Sequence, residues 1–141
     1  MINLRNKKVV ITGGSRGIGY AILKEFYENN SDVLTIGSNI QNLKKVQSVF
    51  PKIKIHQLDL KNSEDLKIKF PKLIEELGGI DILVNNAGIT KDNLTLRMKE
   101  DEWKDVIDVN LNSVFYLCQC AIKSMIKQKS GNIINITSIV G

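Results

Sequence analysis

The chain has 141 residues, 43% hydrophobic and 25% charged, with a formal net charge of +5 and a pI near 9.2. That length makes one domain, residues 1–141, with a sizeable core, and the composition excludes a disordered chain. No apolar run reaches the roughly 18 residues of a membrane span, Arg5, Lys7 and Lys8 interrupt any secretory leader, and the lysines form no basic run, so the expectation is a cytoplasmic protein with no membrane or nucleic-acid partner.

The first apolar run, KVVIT (8–12), leads into GGSRGIG and then into a helical stretch, GIGYAILKEFYEN, with Ile18, Ala21, Ile22 and Phe26 on one face. Gly13, Gly17 and Gly19 at this turn let the backbone bend sharply and approach a phosphate. The new helix turns its free N–H groups and positive dipole end toward that anion. The spacing G-x-x-x-G-x-G differs both from the G-x-G-x-x-G fingerprint and from the P-loop. Arg16, in the same loop, is either an anion ligand or a solvated cation.

The second run, DVLTIG (32–37), ends in Ser38 and Asn39. A site for NAD would place Asp or Glu near the end of this strand to bind the ribose 2′-hydroxyl. Asp32 stands at its start instead. Arg16 and the Ser38 hydroxyl suit a 2′-phosphate, which favours NADP(H). A second helix is expected over NIQNLKKVQSVF, and a third strand over KIKIHQL (52–58), with His56 an ordinary strand residue. Asp59, just past that strand, either accepts from an adenine amino group or caps the following helix. In SEDLKIKFPKLIEEL, Pro71 predicts a break or restart.

The fourth strand, IDILVNN (80–86), ends in Asn85-Asn86-Ala87-Gly88, which flanks a ligand or forms a polar turn. A long helix follows over about residues 100–129. Trp103, Ile107, Asn110, Val114, Leu117, Ala121 and Met125 recur on one face of it, and Asn110 is the one polar member. A buried amide needs a partner, either a local backbone group or part of an active site. Cys118 and Cys120 lie roughly 200° apart around a helix and cannot jointly grip a metal, so no metal site is expected. The final run, NIINITS (132–138), reads as a buried strand that delivers Ser138 to the carboxyl edge of the sheet, where open α/β sheets bind ligands. Near-continuous apolar strands alternating with amphipathic helices predict a doubly wound, Rossmann-type parallel sheet of five strands in the order 3-2-1-4-5.

Together these residues resemble the short-chain dehydrogenase/reductase family. TGGSRGIG (12–19) is similar to its TGxxxGxG cofactor loop, Asp59 to its adenine-contacting Asp and NNAG (85–88) to its sheet-stabilising motif. Asn110 and Ser138 match two members of its catalytic tetrad. The resemblance implies a cofactor site built from Thr12, Gly13, Ser15, Arg16, Gly17, Ile18, Gly19, Ser38, Asp59, Leu60, Asn86, Ala87 and Gly88. Within the family, residues 85–115, SGNIINITSIVG and the Arg16 loop resemble the β-ketoacyl-ACP reductases. That implies NADPH-dependent reduction of a 3-oxoacyl thioester on acyl carrier protein, in a homotetramer whose long helices pack together. It also implies a docking role for Lys129, with Lys127 nearby, toward the acidic carrier.

By the same resemblance, Ser138 holds the substrate carbonyl oxygen and Asn110 supports a water in a proton relay. The proton donor is a Tyr-x-x-x-Lys pair expected past Gly141, and Tyr20, Tyr27 and Tyr116, read as helical and without that spacing, are not expected to replace it. The chain is therefore expected to be the N-terminal part of the enzyme, with its last strand uncovered, further strands absent and little reductase activity. The alternatives are a reductase for another carbonyl, such as acetoacetyl-CoA or a sugar, and a non-catalytic NADP-binding module.

Overall fold

A computed structural model describes residues 3–138. The described residues form a parallel sheet of β1 (Lys8–Thr12), β2 (Asp32–Gly37), β3 (Lys54–Gln57), β4 (Ile82–Asn85) and β5 (Asn132–Asn135), in the order β3-β2-β1-β4-β5. The expected sheet and strand order hold. The connecting helices are α1 (Gly17–Glu28), α2 (Ile40–Val49), α3 (Ser63–Leu77), α4 (Glu100–Ile107) and α5 (Ser113–Gln128).

Side chains alternate across the sheet, which divides the core in two. Val9 and Ile11 of β1 face the α1/α2 side with Leu23, Phe26, Val46 and Phe50. Val10 and Leu34 face the α3/α5 side with Leu66, Phe70, Leu117 and Ala121. Both faces are thus covered, and β1 and β4 at the centre are almost wholly buried. The strand order reverses between β1 and β4, so their carboxyl ends splay apart and leave a crevice.

Four expectations need correction. Pro71 does not break α3, which runs from Ser63 to Leu77. Leu66, Phe70, Leu73, Ile74 and Leu77 anchor that helix on both sides of the proline, while Lys67, whose carbonyl loses its donor, lies on the exposed side where water can serve it.

The long helix is not one regular helix. Asp108–Asn112 form a π-helical turn between α4 and α5, which shifts the buried row to Val109, Ser113, Leu117, Ala121 and Met125. Asn110, within the turn, and Trp103, before it, are exposed. In α1 the buried positions are Gly19, Leu23 and Phe26, and Ile18 is 64% exposed. β5 departs from the buried strand read from NIINITS and agrees with the expectation of an uncovered last strand: among the described residues it pairs with β4, and Ile134 is 41% exposed.

Candidate dinucleotide-binding site

At the carboxyl ends of the strands lies a cleft of about 920 Å³. Its floor is the loop from Gly13 to Gly19, and its walls are the ends of β2, β3 and β4 together with α4. The loop is held by a set of short bonds. The Thr12 hydroxyl accepts from the backbone N–H groups of Asn86 and Ala87, both at 3.0 Å. The Asn86 side-chain amide donates back to the carbonyls of Thr12 (3.2 Å) and Gly13 (3.1 Å). Thr35, in register with Ile11, donates to its carbonyl at 3.0 Å and accepts from Gly14 N–H at 3.2 Å.

These contacts explain the glycines. A Cβ on Gly19 would sit against Asn86 Nδ2 and the Gly13 carbonyl. Gly13 itself has φ +69°, a conformation L side chains rarely adopt. Gly14 is equally constrained, because a Cβ there would lie 2.5 Å from Thr35 Oγ1 and 2.9 Å from Leu23 Cδ1. Sequence reading missed Gly14 and Thr35. The only signal was the paired register of β1 and β2, which the sequence does not print.

The helices that begin at this edge differ in one respect. α2 and α3 are capped by their own side chains, Asn39 accepting from Asn42 N–H and Asn62 from Asp65 N–H, each at 3.0 Å. α1 has no side-chain cap, and its first turn carries no acidic residue. Its free N–H groups and positive dipole end therefore open onto the cleft, beside Arg16, in the arrangement that receives a phosphate.

Of the residues expected to contact a cofactor, Gly13, Ser15, Arg16, Gly17, Ile18, Gly19, Ser38, Asp59, Leu60, Asn86, Ala87 and Gly88 all line this cleft. Thr12 does not; it is buried, and its hydroxyl serves the β4 backbone. Asn62, not Asp59, caps α3, so Asp59 is not the cap. Its carboxylate accepts from Lys61 N–H at 3.0 Å in a tight turn, and the residue is exposed at the cleft. Exposed Ile18 also lies on the cleft.

The expected catalytic pair does not line the cleft. Asn110 is exposed rather than buried, yet its amide is engaged at both atoms: Oδ1 accepts from Ile89 N–H and Nδ2 donates to Ile89 O, each at 2.9 Å. It ties the π-turn to the segment that follows β4. Ser138 stands three residues beyond β5 on the carboxyl side of the sheet and is exposed. Asn85, which ends β4, is buried and donates to Asn135 Oδ1 at 2.8 Å. Lys129 ends α5 in the left-handed conformation, next to Gln128, whose amide bonds both backbone groups of Ile80. It thus lies at the amino edge of the sheet, opposite the cleft.

One tyrosine does have a lysine four residues on: Tyr20, with Lys24, in α1. The Tyr20 ring packs on Phe50 at 5.6 Å between centroids, and Lys24 pairs with Glu28 at 3.7 Å. Neither lines the cleft, so placement rather than spacing disqualifies this pair. No cluster of three or more His, Cys, Asp or Glu able to hold a metal occurs among the described residues, and no described helix is long and apolar enough to cross a membrane.

The family model for short chain dehydrogenase matches residues 7–141. The chain belongs to the short-chain dehydrogenase family. It is 44% identical over 143 aligned positions to the 3-oxoacyl-(acyl-carrier-protein) reductase FabG of Chlamydia pneumoniae, covering 99% of this chain and 58% of that one. It is 39% identical to the FabG of Vibrio cholerae, with 99% and 58% covered. Among solved structures, a metagenomic short-chain oxidoreductase in complex with NADP superposes with a TM-score of 0.92 at 31% identity, covering 98% of this chain and 65% of that one. An alcohol dehydrogenase of this type from Sinorhizobium meliloti gives 0.89 at 28% identity, with 99% and 58% covered. The chain therefore spans somewhat over half the length of the curated relatives it matches.

Proposed function

We propose that this chain binds NADP(H) in the cleft and serves the cytoplasmic reduction of 3-oxoacyl groups carried on acyl carrier protein, as in the FabG relatives. The observation that carries the reading is the uncapped, acid-free N-terminus of α1 above a glycine cradle in which added side chains would collide with Asn86, Ala87 and Thr35. That cradle fits a dinucleotide pyrophosphate and leaves no volume for a larger loop.

When bound, the cofactor would supply the hydride. The chain's residues supply the rest. Arg16 and Ser38 both line the cleft, and β2 runs into Gly37, Ser38 and Asn39 with no acidic residue at its own carboxyl end to oppose a 2′-phosphate. Asp59 accepts from the adenine amino group with its remaining lone pairs, and Ile18 packs on the nicotinamide side. Ser138 orients the carbonyl oxygen at the carboxyl edge, and Asn110 fixes the segment at Ile89 that passes the reacting end.

Two surface features support the partners. Leu111, Phe115, Ile122 and Ile126 form an exposed apolar row on the π-turn and α5, between 44% and 70% exposed, as an interface between copies requires. Lys129 lies away from its own cleft, so it would guide an acidic carrier to the cleft of a neighbouring copy in the proposed homotetramer.

Binding tests the reading. NADPH should occupy one site per chain, and a chain that binds neither NADPH nor NADH contradicts it. Lys129→Glu should weaken retention on immobilised acyl carrier protein without changing NADPH affinity, and unchanged retention removes the docking role. NADPH oxidation with acetoacetyl-CoA should be near background for these 141 residues, since none of their described tyrosines reaches the cleft. Turnover at the rate of a full-length relative contradicts that assignment.

A further inference from the structure

α4 forms part of the cleft wall through Asp105, yet it buries none of its residues. It is tied at its start to its own leading segment: the Glu102 carboxylate accepts from Lys99 N–H at 2.9 Å and from Asn93 Nδ2 at 3.3 Å, and both bonds hold its pKa below the usual carboxylate value. At its end it passes into the π-turn, where Lys104 pairs with Asp108 and Asn110 clasps Ile89. Among the described residues, one polar contact joins α4 to the far wall: Lys61 Nζ to Asp105 Oδ2 at 3.4 Å. Both residues line the cleft.

Lys61 is well placed to serve as an anchor. Its backbone sits in the turn made by Asp59, whose carboxylate accepts from Lys61 N–H, and Asn62 next to it caps α3. The β3–α3 turn is thereby fixed from both sides. α4, by contrast, is a short helix with an exposed surface on a π-turn, a feature that recurs at functional sites. The ion pair is itself solvent-exposed, with side chains 44% and 32% accessible, so salt screens it and its contribution is small enough to be reversible.

We propose that α4 is a hinged wall of the cleft, latched to the β3–α3 turn by Lys61 and Asp105, and that opening of this latch sets how fast the dinucleotide leaves the adenosine end. The inference rests on the dinucleotide reading of the cleft. In its closed state the pair spans the mouth beside Asp59 and Leu60. Opening frees that mouth without breaking the bonds of the glycine loop, which run to Thr35, Asn86 and Ala87 and not to α4.

The chain has a single tryptophan, Trp103, placed on α4 and 60% exposed, so its fluorescence reports on this wall. Two measurements on the full chain test the latch. In ligand-free protein, amide exchange across residues 100–107 should quicken about two- to fivefold in Lys61→Ala, the range expected for an exposed pair. Added salt should quicken it in the parent and not in the variant. In stopped flow, with Trp103 as the signal, NADPH should dissociate faster by a similar factor from Lys61→Ala and from Asp105→Ala. The exchanged pair Lys61→Asp with Asp105→Lys should restore the parent rate. Exchange and dissociation unchanged in the single variants, with normal NADPH binding, overturn the latch alone. Absence of any NADPH binding to the parent chain overturns the dinucleotide reading, and the latch as a gate with it.

Discussion

β1 and β5 are both short parallel strands ending at the same edge of one sheet, but they sit in opposite surroundings. β1 is covered on both faces and bonded on both sides, and the loop it feeds is stapled by Thr12, Thr35 and Asn86. Among the described residues β5 pairs with β4, keeps Ile134 exposed and leads to an exposed Ser138. The phosphate end of the site is therefore preorganised by bonds within the described chain. The proposed carbonyl end is tied to the described body by the β4 ladder and the Asn85–Asn135 bond.

Substitutions at the two ends should separate accordingly. The largest effect belongs to Thr12→Val, which leaves the N–H groups of Asn86 and Ala87 without their acceptor; urea unfolding should show a loss of about 2–4 kcal/mol. Thr12→Ser should retain most of the stability. Gly19→Ala presses a methyl into Asn86 Nδ2 and the Gly13 carbonyl. It should cost about 1–3 kcal/mol as overpacking and abolish tight nucleotide binding in calorimetry. Asn135→Ala, at the edge strand, should cost about 1 kcal/mol, since only one side-chain bond is lost. Ile134→Lys should change stability by less than about 0.5 kcal/mol, because its side chain is already partly exposed.

The smallest effect concerns acid. Lys104, then Asn112, holds the Asp108 carboxyl below the usual carboxylate value at the start of the π-turn. A depressed folded pKa contributes stability that is present above the unfolded pKa and lost as pH falls through the lower folded value. Asp108→Asn should therefore flatten the acid limb of the unfolding curve below about pH 4, where the parent still gains from the charge.

Much of this was legible in the sequence. The alternation of apolar runs and amphipathic stretches encodes the layers, and twelve of the thirteen cofactor residues implied by the resemblance line the cleft, about half of its lining. What was not legible depends on neighbours that only the fold supplies. The π-turn takes Asn110 out of the buried row that continues through Leu117, Ala121 and Met125, because the change in helix winding offsets the positions up to the turn from those after it. Pro71 is tolerated because the burial on both sides of it outweighs one missing bond. Thr35 matters only through its register with Ile11. Tyr20 and Lys24 have a spacing that suggests chemistry and a placement that removes it.

The central claim is that the cleft takes a dinucleotide whose 2′-phosphate meets Arg16 and Ser38. Parallel titration of NADPH and NADH into the chain and into Arg16→Ala tests it most directly. The account predicts NADPH to bind about tenfold or more tightly than NADH, from one charge-assisted contact, and predicts that Arg16→Ala closes most of that gap. Equal affinities in the parent chain, or a preference that survives the loss of Arg16, would contradict it.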